Sequence, residues 1–264
     1  MTMNGMESKA ASPLSTFTET FRVLDTDCDS NGIITSGGLM RLCQQIASDH
    51  CVALGLDLEY YDKTNTAWVL TKSAVEVARP PRWSETITLV TRPQAINHAV
   101  FKRLVEIYDE EGNELAVLDG RWVMLDTAAH RILRHLPEGY VEMPFPDAIE
   151  RELDLSIPRV TDSETVFEQK ATYSLCDTNH HLNNTHYADI ICDALPEHIL
   201  DDSRVSRMTI SFKKEIPYGA TFTVRRKQID ESTWFVCGES VNEQGKTVQH
   251  FTSSATLAPL TTSR

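Results

Sequence analysis

The sequence predicts an α+β fold made of two consecutive copies of one unit, each a long helix wrapped by a curved antiparallel β-sheet. Three observations support this fold. Polar segments near residues 30 and 178 are each followed by a helical pattern, and several stretches that alternate apolar and polar residues come next. Glycine-containing turns interrupt those stretches at matching places. One helix followed by a run of strands is typical of α+β folds.

The helices are predicted from apolar periodicity. Placing Asp29 on Asp177 (177 − 29 = 148) aligns two segments whose apolar residues recur at i, i+3, i+4 and i+7, which is one face of an amphipathic helix. Ser36 and Asn184 precede the two patterns and are predicted to cap the helices. The second helix is predicted to stop near Pro196. The apolar positions are Leu39, Leu42, Cys43 and Ile46 in the first copy and Tyr187, Ile190, Ile191 and Ala194 in the second.

The strands after each helix also match between the copies. Residues 85–90 ("ETITLV") align with residues 220–225 ("ATFTVR"), and both alternate apolar residues with threonine, as half-buried strands do. The next strands enclose hairpin turns at Gly112 and Gly245, where glycine can take a positive φ. The offset between the copies falls along the chain, so the second copy is predicted to be shorter between its helix and its strands.

These patterns divide the chain into four parts. Four prolines and many charges between the copies are typical of a crossing linker. The predicted parts are a flexible N-terminal tail at residues 1–16, a first unit at 17–126, a linker at 127–164 and a second unit at 165–264.

Composition narrows the classes of function. A formal net charge of −13 argues against a nucleic-acid partner. No apolar run reaches the roughly 18 residues of a membrane span, and the N-terminus does not read as a secretory signal. Six cysteines are scattered without a CxxC pair, which favours a reduced, cytoplasmic protein without structural zinc.

An acidic protein partner would need a local basic patch on this acidic chain. The sequence offers candidates for such a patch, although solvated surface charges are the favoured interpretation for most of them. The candidates are Lys102 and Arg103 in "FKRL" and the group Arg79, Arg82, Arg131 and Arg134.

The stretch "DCDSNGIITSGG" at residues 27–38 partly matches a calcium-binding EF-hand loop. Asp27, Asp29, Asn31 and Gly32 occupy positions 1, 3, 5 and 6 of that loop. Position 12, which must supply a bidentate glutamate, is Gly38. A calcium site is therefore disfavoured, and we interpret the stretch as a turn into the first helix.

The matching loop of the second copy, "CDTNHHLNN", contains more side chains that can take part in catalysis. Asp177, Asn179 and His181 are spaced at i, i+2 and i+4, so an extended segment would direct them to one side and His180 to the other. The first copy has Ile33 in place of the histidine. Each residue alone could be a turn, capping or packing residue. Together, a carboxylate, an amide and an imidazole can activate water and hold a developing oxyanion, so we favour a catalytic site.

A second candidate lies after a later strand, in "ISFKKEIPYG". Glu215 stands there, and the first copy has Pro80 at the matching position. A solvated turn charge is the alternative interpretation. Because the carboxylate is specific to the second copy, we include Glu215 in the candidate site.

These residues resemble the acyl-acyl-carrier-protein (acyl-ACP) thioesterase family of plants and bacteria, over about residues 17–258. The resemblance implies two hot-dog units in tandem, with Asp177, Asn179, His181 and Glu215 at the positions of the family's catalytic Asp, Asn and His and its later acidic residue. It implies hydrolysis of a fatty acyl thioester carried by acyl carrier protein, with the acyl tail in an apolar channel of the first copy. No cofactor or metal is implied.

The resemblance also suggests roles. Asp177 would be nucleophile or general base, Asn179 would orient water or the carbonyl, and His181 would assist proton transfer. Glu215 would position water or act as an alternative base, and backbone N–H groups near Thr185 would stabilise the oxyanion.

The sequence departs from the family at one position and leaves rival functions open. Members of the family can carry a cysteine directly after the acidic residue, but this chain has Ile216 there, and Cys176 matches no catalytic position. We therefore expect water or carboxylate chemistry rather than a thiolate.

An acyl-CoA thioesterase and a non-catalytic acyl-binding protein remain alternatives, and a hydratase is disfavoured. The acyl chain length and the formation of a homodimer stay open.

Overall fold

The computed structural model describes residues 15–94, 97–134, 137 and 151–260. Residues 1–14 of the predicted tail, most of the central part of the predicted linker and residues 261–264 lie outside this description. The first half contains β1 (Phe17–Arg22), α1 (Ser36–Ala53), α2 (Leu58–Thr64), β2 (Thr66–Val77), β3 (Thr86–Pro93), β4 (Phe101–Tyr108), β5 (Glu114–Asp126) and β6 (Arg131–Ile132). The second half contains β7 (Glu164–Lys170), α3 (His186–Asp193), β8 (Ser203–Phe212), β9 (Thr221–Gln228), β10 (Thr233–Val241) and β11 (Thr247–Pro259).

The described strands form one 11-stranded antiparallel sheet. Its order is β1-β3-β4-β5-β2-β8-β11-β10-β9-β7, and the short β6 pairs with β5. The two halves therefore have the same strand order when read outward from the β2–β8 pair, where Ala74 lies opposite Thr209. This repeated order confirms the predicted α+β fold with two tandem units. The exact unit boundaries at 17–126, 127–164 and 165–264 stay a prediction.

Each helix packs its predicted apolar face against its own half of the sheet. One continuous core joins the two halves, and it includes Leu39, Cys43 and Ile46 of α1 and Tyr187, Ile190, Ile191 and Ala194 around α3. The two helices approach closely at Gly37, where an added Cβ would lie 1.7 Å from Oδ1 of Asp189. The absence of a side chain at Gly37 thus permits this approach, as expected for glycine at the start of α1. Arg41 then donates to Asp189 at 2.9 Å and to Asp27 at 3.0 Å.

Both predicted N-cap positions are wrong by one residue, and only α1 has a side-chain cap. Thr35, not Ser36, caps α1, because its Oγ1 accepts the N–H of Gly38 at 3.0 Å. At α3 the N-cap residue is Thr185 rather than Asn184, and its side chain makes no capping hydrogen bond. The side-chain oxygen of Asn183 accepts the N–H of Thr185 at 2.9 Å, just before the helix. Several adjacent residues of these segments carry side-chain oxygens, and the local path of the backbone decides which one faces the open amides.

The second copy is shorter after its helix, as predicted. Helix α1 has 18 residues and is followed by the seven-residue α2, whereas α3 has eight residues and ends before Pro196. In the described part of the second half, no helix corresponds to α2. The hairpin glycines Gly112 and Gly245 have φ of 83° and 73°, as the turns require. The extra helix in the first copy contributes to the cavity described below.

Lys102 and Arg103 do not belong to a solvated basic patch. Lys102 is 4% exposed, and its Nζ donates to the carbonyl oxygen of Arg151 and lies 3.7 Å from Asp119. The chain around Leu153 covers this face of the sheet and buries the ammonium group. Arg103 is half-buried. These two residues are therefore exceptions to the interpretation as solvated charges, which was favoured for most of the six candidates, because the chain around Leu153 buries Lys102 and the fold half-buries Arg103.

All six cysteines carry free thiols. Within the described ranges, no helix combines the length and the apolar character needed to cross a lipid bilayer.

Candidate functional site

The loop before α3 is a tight turn that Asp177 closes. Its Oδ1 accepts the N–H of Asn179 at 2.9 Å and the N–H of His181 at 3.4 Å. Its own N–H donates to the carbonyl oxygen of His181 at 2.9 Å, and His180 takes a φ of 59°. The expected extended conformation of this segment is therefore wrong, because an aspartate that bonds the backbone ahead of it folds the chain into a turn.

The first copy builds the same turn with Asp29. Its Oδ1 accepts the N–H groups of Asn31 at 2.8 Å and Ile33 at 3.2 Å, and Gly32 has a φ of 67° at the position of His180. Residues 27–38 thus form a turn into α1, in which Gly38 is already helical. Among the described residues, no group of three His, Cys, Asp or Glu side chains could hold a metal ion. One carboxylate oxygen therefore has a structural role in both copies.

A cavity of about 510 Å³ lies between the first unit and the loop of the second. The second copy contributes Asp177, Thr178, Asn179, Asn183 and Asn184 to its wall. The first copy contributes residues of α1, α2 and the ends of β2, β4 and β5, among them Ala47, Leu56, Leu58, Tyr61, Trp68, Phe101, Arg103 and Trp122. The cavity therefore joins an apolar and aromatic wall in one unit to a polar loop in the other.

A second cavity, of about 20 Å³, adjoins the first and lies between α1 and the sheet. Both cavities are lined by Gln44, Ala47, Arg103, Trp122 and Asn184. The smaller one adds mainly apolar side chains: Met40, Cys43, Leu70, Val105 and Leu118. The smaller cavity thus lies beside the core of the first unit.

His181 and Glu215 face each other at the other side of the loop. Nε2 of His181 lies 3.9 Å from Oε1 of Glu215, and their side chains are 34% and 63% exposed. The backbone holds the two segments together, because Leu182 N–H donates to Ile216 O at 2.9 Å and Tyr218 N–H donates to His180 O at 2.9 Å. The four predicted residues therefore form two pairs: Asp177 and Asn179 line the cavity, and His181 faces Glu215.

Two ionisable groups at the loop, Tyr187 and Cys176, have raised pKa values. Burial raises the pKa of Tyr187, and the carboxylates of Asp177 and Glu215 raise it further. Burial also raises the pKa of Cys176, as does the neighbouring Asp177. These shifts work against a thiolate at Cys176 and support the expectation that this cysteine is not a nucleophile.

Two of the backbone N–H groups near Thr185, where an oxyanion site is expected, already have acceptors within the protein. The N–H of Thr185 donates to Oδ1 of Asn183, and the N–H of His186 donates to the carbonyl oxygen of Asn183 at 3.1 Å. Both groups are therefore used in starting α3.

Sequence reasoning did not identify most of the cavity wall. The sequence patterns do not single out Trp68, Trp122 or Tyr61, and they predict a surface charge at Arg103. Arg103 donates to Oγ1 of Thr91 at 3.1 Å, which helps to fix it at the wall. These residues come from different elements, so no spacing in the sequence marked them as neighbours.

Comparison with known proteins matches both halves of the chain. A family model described as the acyl-ACP thioesterase N-terminal domain matches residues 15–143, and one described as the C-terminal domain matches residues 159–254. A palmitoyl-acyl carrier protein thioesterase of Gossypium hirsutum is 25% identical over 214 residues, which are 75% of this chain and 52% of that protein. Oleoyl-acyl carrier protein thioesterase 1 of Arabidopsis thaliana is 21% identical over 218 residues, 75% of this chain and 60% of that protein. The chain thus spans about half to three-fifths of the length of these curated relatives.

Solved structures show the same fold. An acyl-ACP thioesterase from Bacteroides thetaiotaomicron superposes with a TM-score of 0.81 at 21% identity, covering 92% of this chain and 98% of that one. The 12:0-ACP thioesterase from Umbellularia californica superposes with a TM-score of 0.80 at 18% identity, covering 95% and 99%.

Proposed function

Because the chain belongs to the acyl-ACP thioesterase family, we propose that it hydrolyses fatty acyl thioesters carried by acyl carrier protein. Water would add to the thioester carbonyl, and the products would be a free fatty acid and the carrier with its free thiol, which ends elongation of the acyl chain. One observation carries the proposal: the cavity walled mainly by the first unit meets the loop with Asp177 and Asn179.

The cavity has the size and the lining that an acyl chain needs. Its volume of about 510 Å³ falls in the usual range of small-molecule sites, roughly 300–1,000 Å³. Trp68, Phe101 and Leu56 give it apolar walls. Each methylene buried there would contribute about 0.8 kcal/mol to binding. The acyl tail would therefore lie against the first unit, and the thioester would lie at the loop of the second.

The proposed roles follow from the positions of the four side chains. Oδ1 of Asp177 holds the turn, so its other carboxylate oxygen would act as nucleophile or general base. Asn179 would orient the carbonyl or the attacking water. His181 would transfer the proton, and Glu215, 3.9 Å away, would orient the imidazole or position water. Distances of this kind often shorten when substrate binds.

The proposal is tested by measuring free-acid release from matched acyl-ACP and acyl-CoA substrates of several chain lengths. We expect release from acyl-ACP to exceed that from acyl-CoA. A preference for acyl-CoA would favour an acyl-CoA thioesterase. Retained fatty acyl ligand without release from any substrate would favour a non-catalytic acyl-binding protein.

The repeat supplies a matched control. Asn179→Ala removes the amide at the cavity, and Asn31→Ala removes its counterpart in the first copy, which does not line the cavity and donates to the carbonyl oxygen of Leu200 at 3.1 Å. We expect the first substitution to lower kcat at least tenfold and the second to leave kcat within about twofold. Equal effects of both variants would argue against a chemical role of Asn179.

The setting and the assembly are also proposals. Six free thiols fit a reducing compartment such as the cytoplasm. The two units already pair edge to edge through β2 and β8, as separate chains could in a dimer. A further homodimer of the whole chain is tested by sedimentation at several concentrations.

A further inference from the structure

Strand β11 contains a β-bulge at His250. In the β10–β11 pair Gly238 lies opposite Phe251, and the next pair is Glu239 with Gln249, so His250 has no partner in the ladder. A bulge redirects the side chain of the extra residue, and bulges are common beside active sites. His250 is 6% exposed, so its redirected ring lies inside the protein.

The first copy has the same bulge at Leu115. There Ile107 lies opposite Ala116, and the next pair is Tyr108 with Glu114. Both bulges anchor the turn that follows the neighbouring strand. The carbonyl oxygen of Leu115 accepts the N–H groups of residues 78 and 79 at 2.9 and 3.2 Å, and that of His250 accepts those of residues 213 and 214 at 2.8 and 3.2 Å.

The side chain of the second bulge adds contacts that leucine cannot make. Nδ1 of His250 lies 3.3 Å from the carbonyl oxygen of Lys214, and Nε2 lies 2.9 Å from Oγ of Ser240. A carbonyl oxygen only accepts hydrogen bonds, so Nδ1 carries the proton. In the neutral ring Nε2 then accepts from the hydroxyl of Ser240. Glu215 is the next residue after Lys214.

The environment keeps this ring neutral. Burial lowers the pKa of His250, while hydrogen bonds with the backbone of Lys214 and Glu215 act in the opposite direction. A neutral ring with its proton on Nδ1 makes both observed contacts at once.

We propose that His250 is a positioning residue for Glu215. Its imidazole, held by Ser240, ties down the carbonyl of Lys214 and so fixes the turn that presents the Glu215 carboxylate to His181. This inference rests on the proposed hydrolase function and adds a residue that the loop sequence does not contain. Both the histidine and the carboxylate that it positions belong to the second copy, whereas the first copy has Leu115 and Pro80.

Kinetics of two substitutions test the proposal. His250→Leu installs the residue that the first copy has at its bulge, and His250→Asn keeps an N–H group near the position of Nδ1. We expect His250→Leu to lower kcat about 10- to 100-fold with KM changed less than about threefold, since small displacements of a catalytic group cost this much. His250→Asn should recover most of the loss. A wild-type kcat for His250→Leu would overturn the proposal.

A double substitution separates positioning from general support of the fold. If His250 acts through Glu215, then His250→Leu should lower kcat little further once Glu215→Gln is present. If the factors by which the two substitutions lower kcat multiply in the double variant, His250 acts independently of Glu215, and this would overturn the proposal. Should the leucine variant fail to fold, Ser240→Ala loosens the ring without altering the bulge, and its kcat should fall at least threefold through the same dependence on Glu215.

A spectroscopic measurement works without any enzymatic activity. Nitrogen-15 NMR of the histidine ring should show His250 neutral at pH 7, with its proton on Nδ1. A proton on Nε2, or a charged ring, would overturn the positioning contact. Absence of hydrolysis with every acyl thioester would instead refute the proposed function, and the tautomer would still report on the contact to Lys214.

Discussion

Replacing Asp177 by asparagine separates the two roles of this side chain. The substitution keeps an oxygen that can accept the N–H groups of Asn179 and His181, but it removes the negative charge. Asp29→Asn is the matched control, because Asp29 accepts two equivalent N–H groups at 2.8 and 3.2 Å and does not line the cavity.

The expected magnitudes differ for stability and for catalysis. A hydrogen bond to a charged group contributes about 1.5–3 kcal/mol and a neutral one about 0.5–1.5 kcal/mol. Each substitution should therefore lower the free energy of unfolding by about 1 kcal/mol, mostly through the shorter bond. Loss of a general base should lower kcat about 10²- to 10⁴-fold, which is roughly 3–5 kcal/mol of activation free energy. That loss is expected for Asp177→Asn alone.

Urea unfolding and acyl-ACP hydrolysis measure the two quantities on the same preparations. Asp29→Asn should lose stability and keep kcat within about threefold. If Asp177→Asn also keeps kcat within threefold, Asp177 only supports the turn, and the base must be sought at Glu215. A much larger stability loss for Asp177 than for Asp29 would contradict the equivalence of the two turns.

Four further outcomes are expected. Cys176→Ser should keep wild-type kcat in the hydrolysis assay, because burial and Asp177 raise the pKa of the thiol; a loss above tenfold would restore thiolate chemistry. Phe251→Ala should cost about 3–5 kcal/mol in urea unfolding, because this ring is fully buried; a loss under 1 kcal/mol would contradict its packing. Burial alone would raise the pKa of Glu85, but hydrogen bonds from Arg79 and a backbone N–H lower it below the ordinary 4.5. Glu85→Gln should therefore be less stable than the wild type at pH 7, and this difference should disappear as the pH falls through 4.5 and below. A carboxyl group with a depressed pKa stabilises the fold only above that range. A difference in urea unfolding that does not depend on pH would argue against the ion pair. Ala47→Phe should shift hydrolysis toward shorter acyl chains, because Ala47 lines both cavities; an unchanged profile would place the tail elsewhere.

The sequence determined the repeated architecture. Helical periodicity and strand alternation are local properties, and the same local pattern occurs twice, so the faces of α1 and α3 and the turns at Gly112 and Gly245 could be predicted. The loop with Asp177, Asn179 and His181 was located by its contrast with the first copy.

Tertiary structure decided which groups meet. The 3.9 Å approach of His181 to Glu215 joins residues on separate segments, and the cavity joins α2 of one unit to a loop of the other. The burial of Lys102 depends on the chain around Leu153, which crosses its face of the sheet. Contacts of this kind have no periodic pattern in the sequence, because they depend on the path of the whole chain. The turn closed by Asp177 was missed for a related reason: the same residues fit an extended segment and a turn, and backbone hydrogen bonds selected the turn.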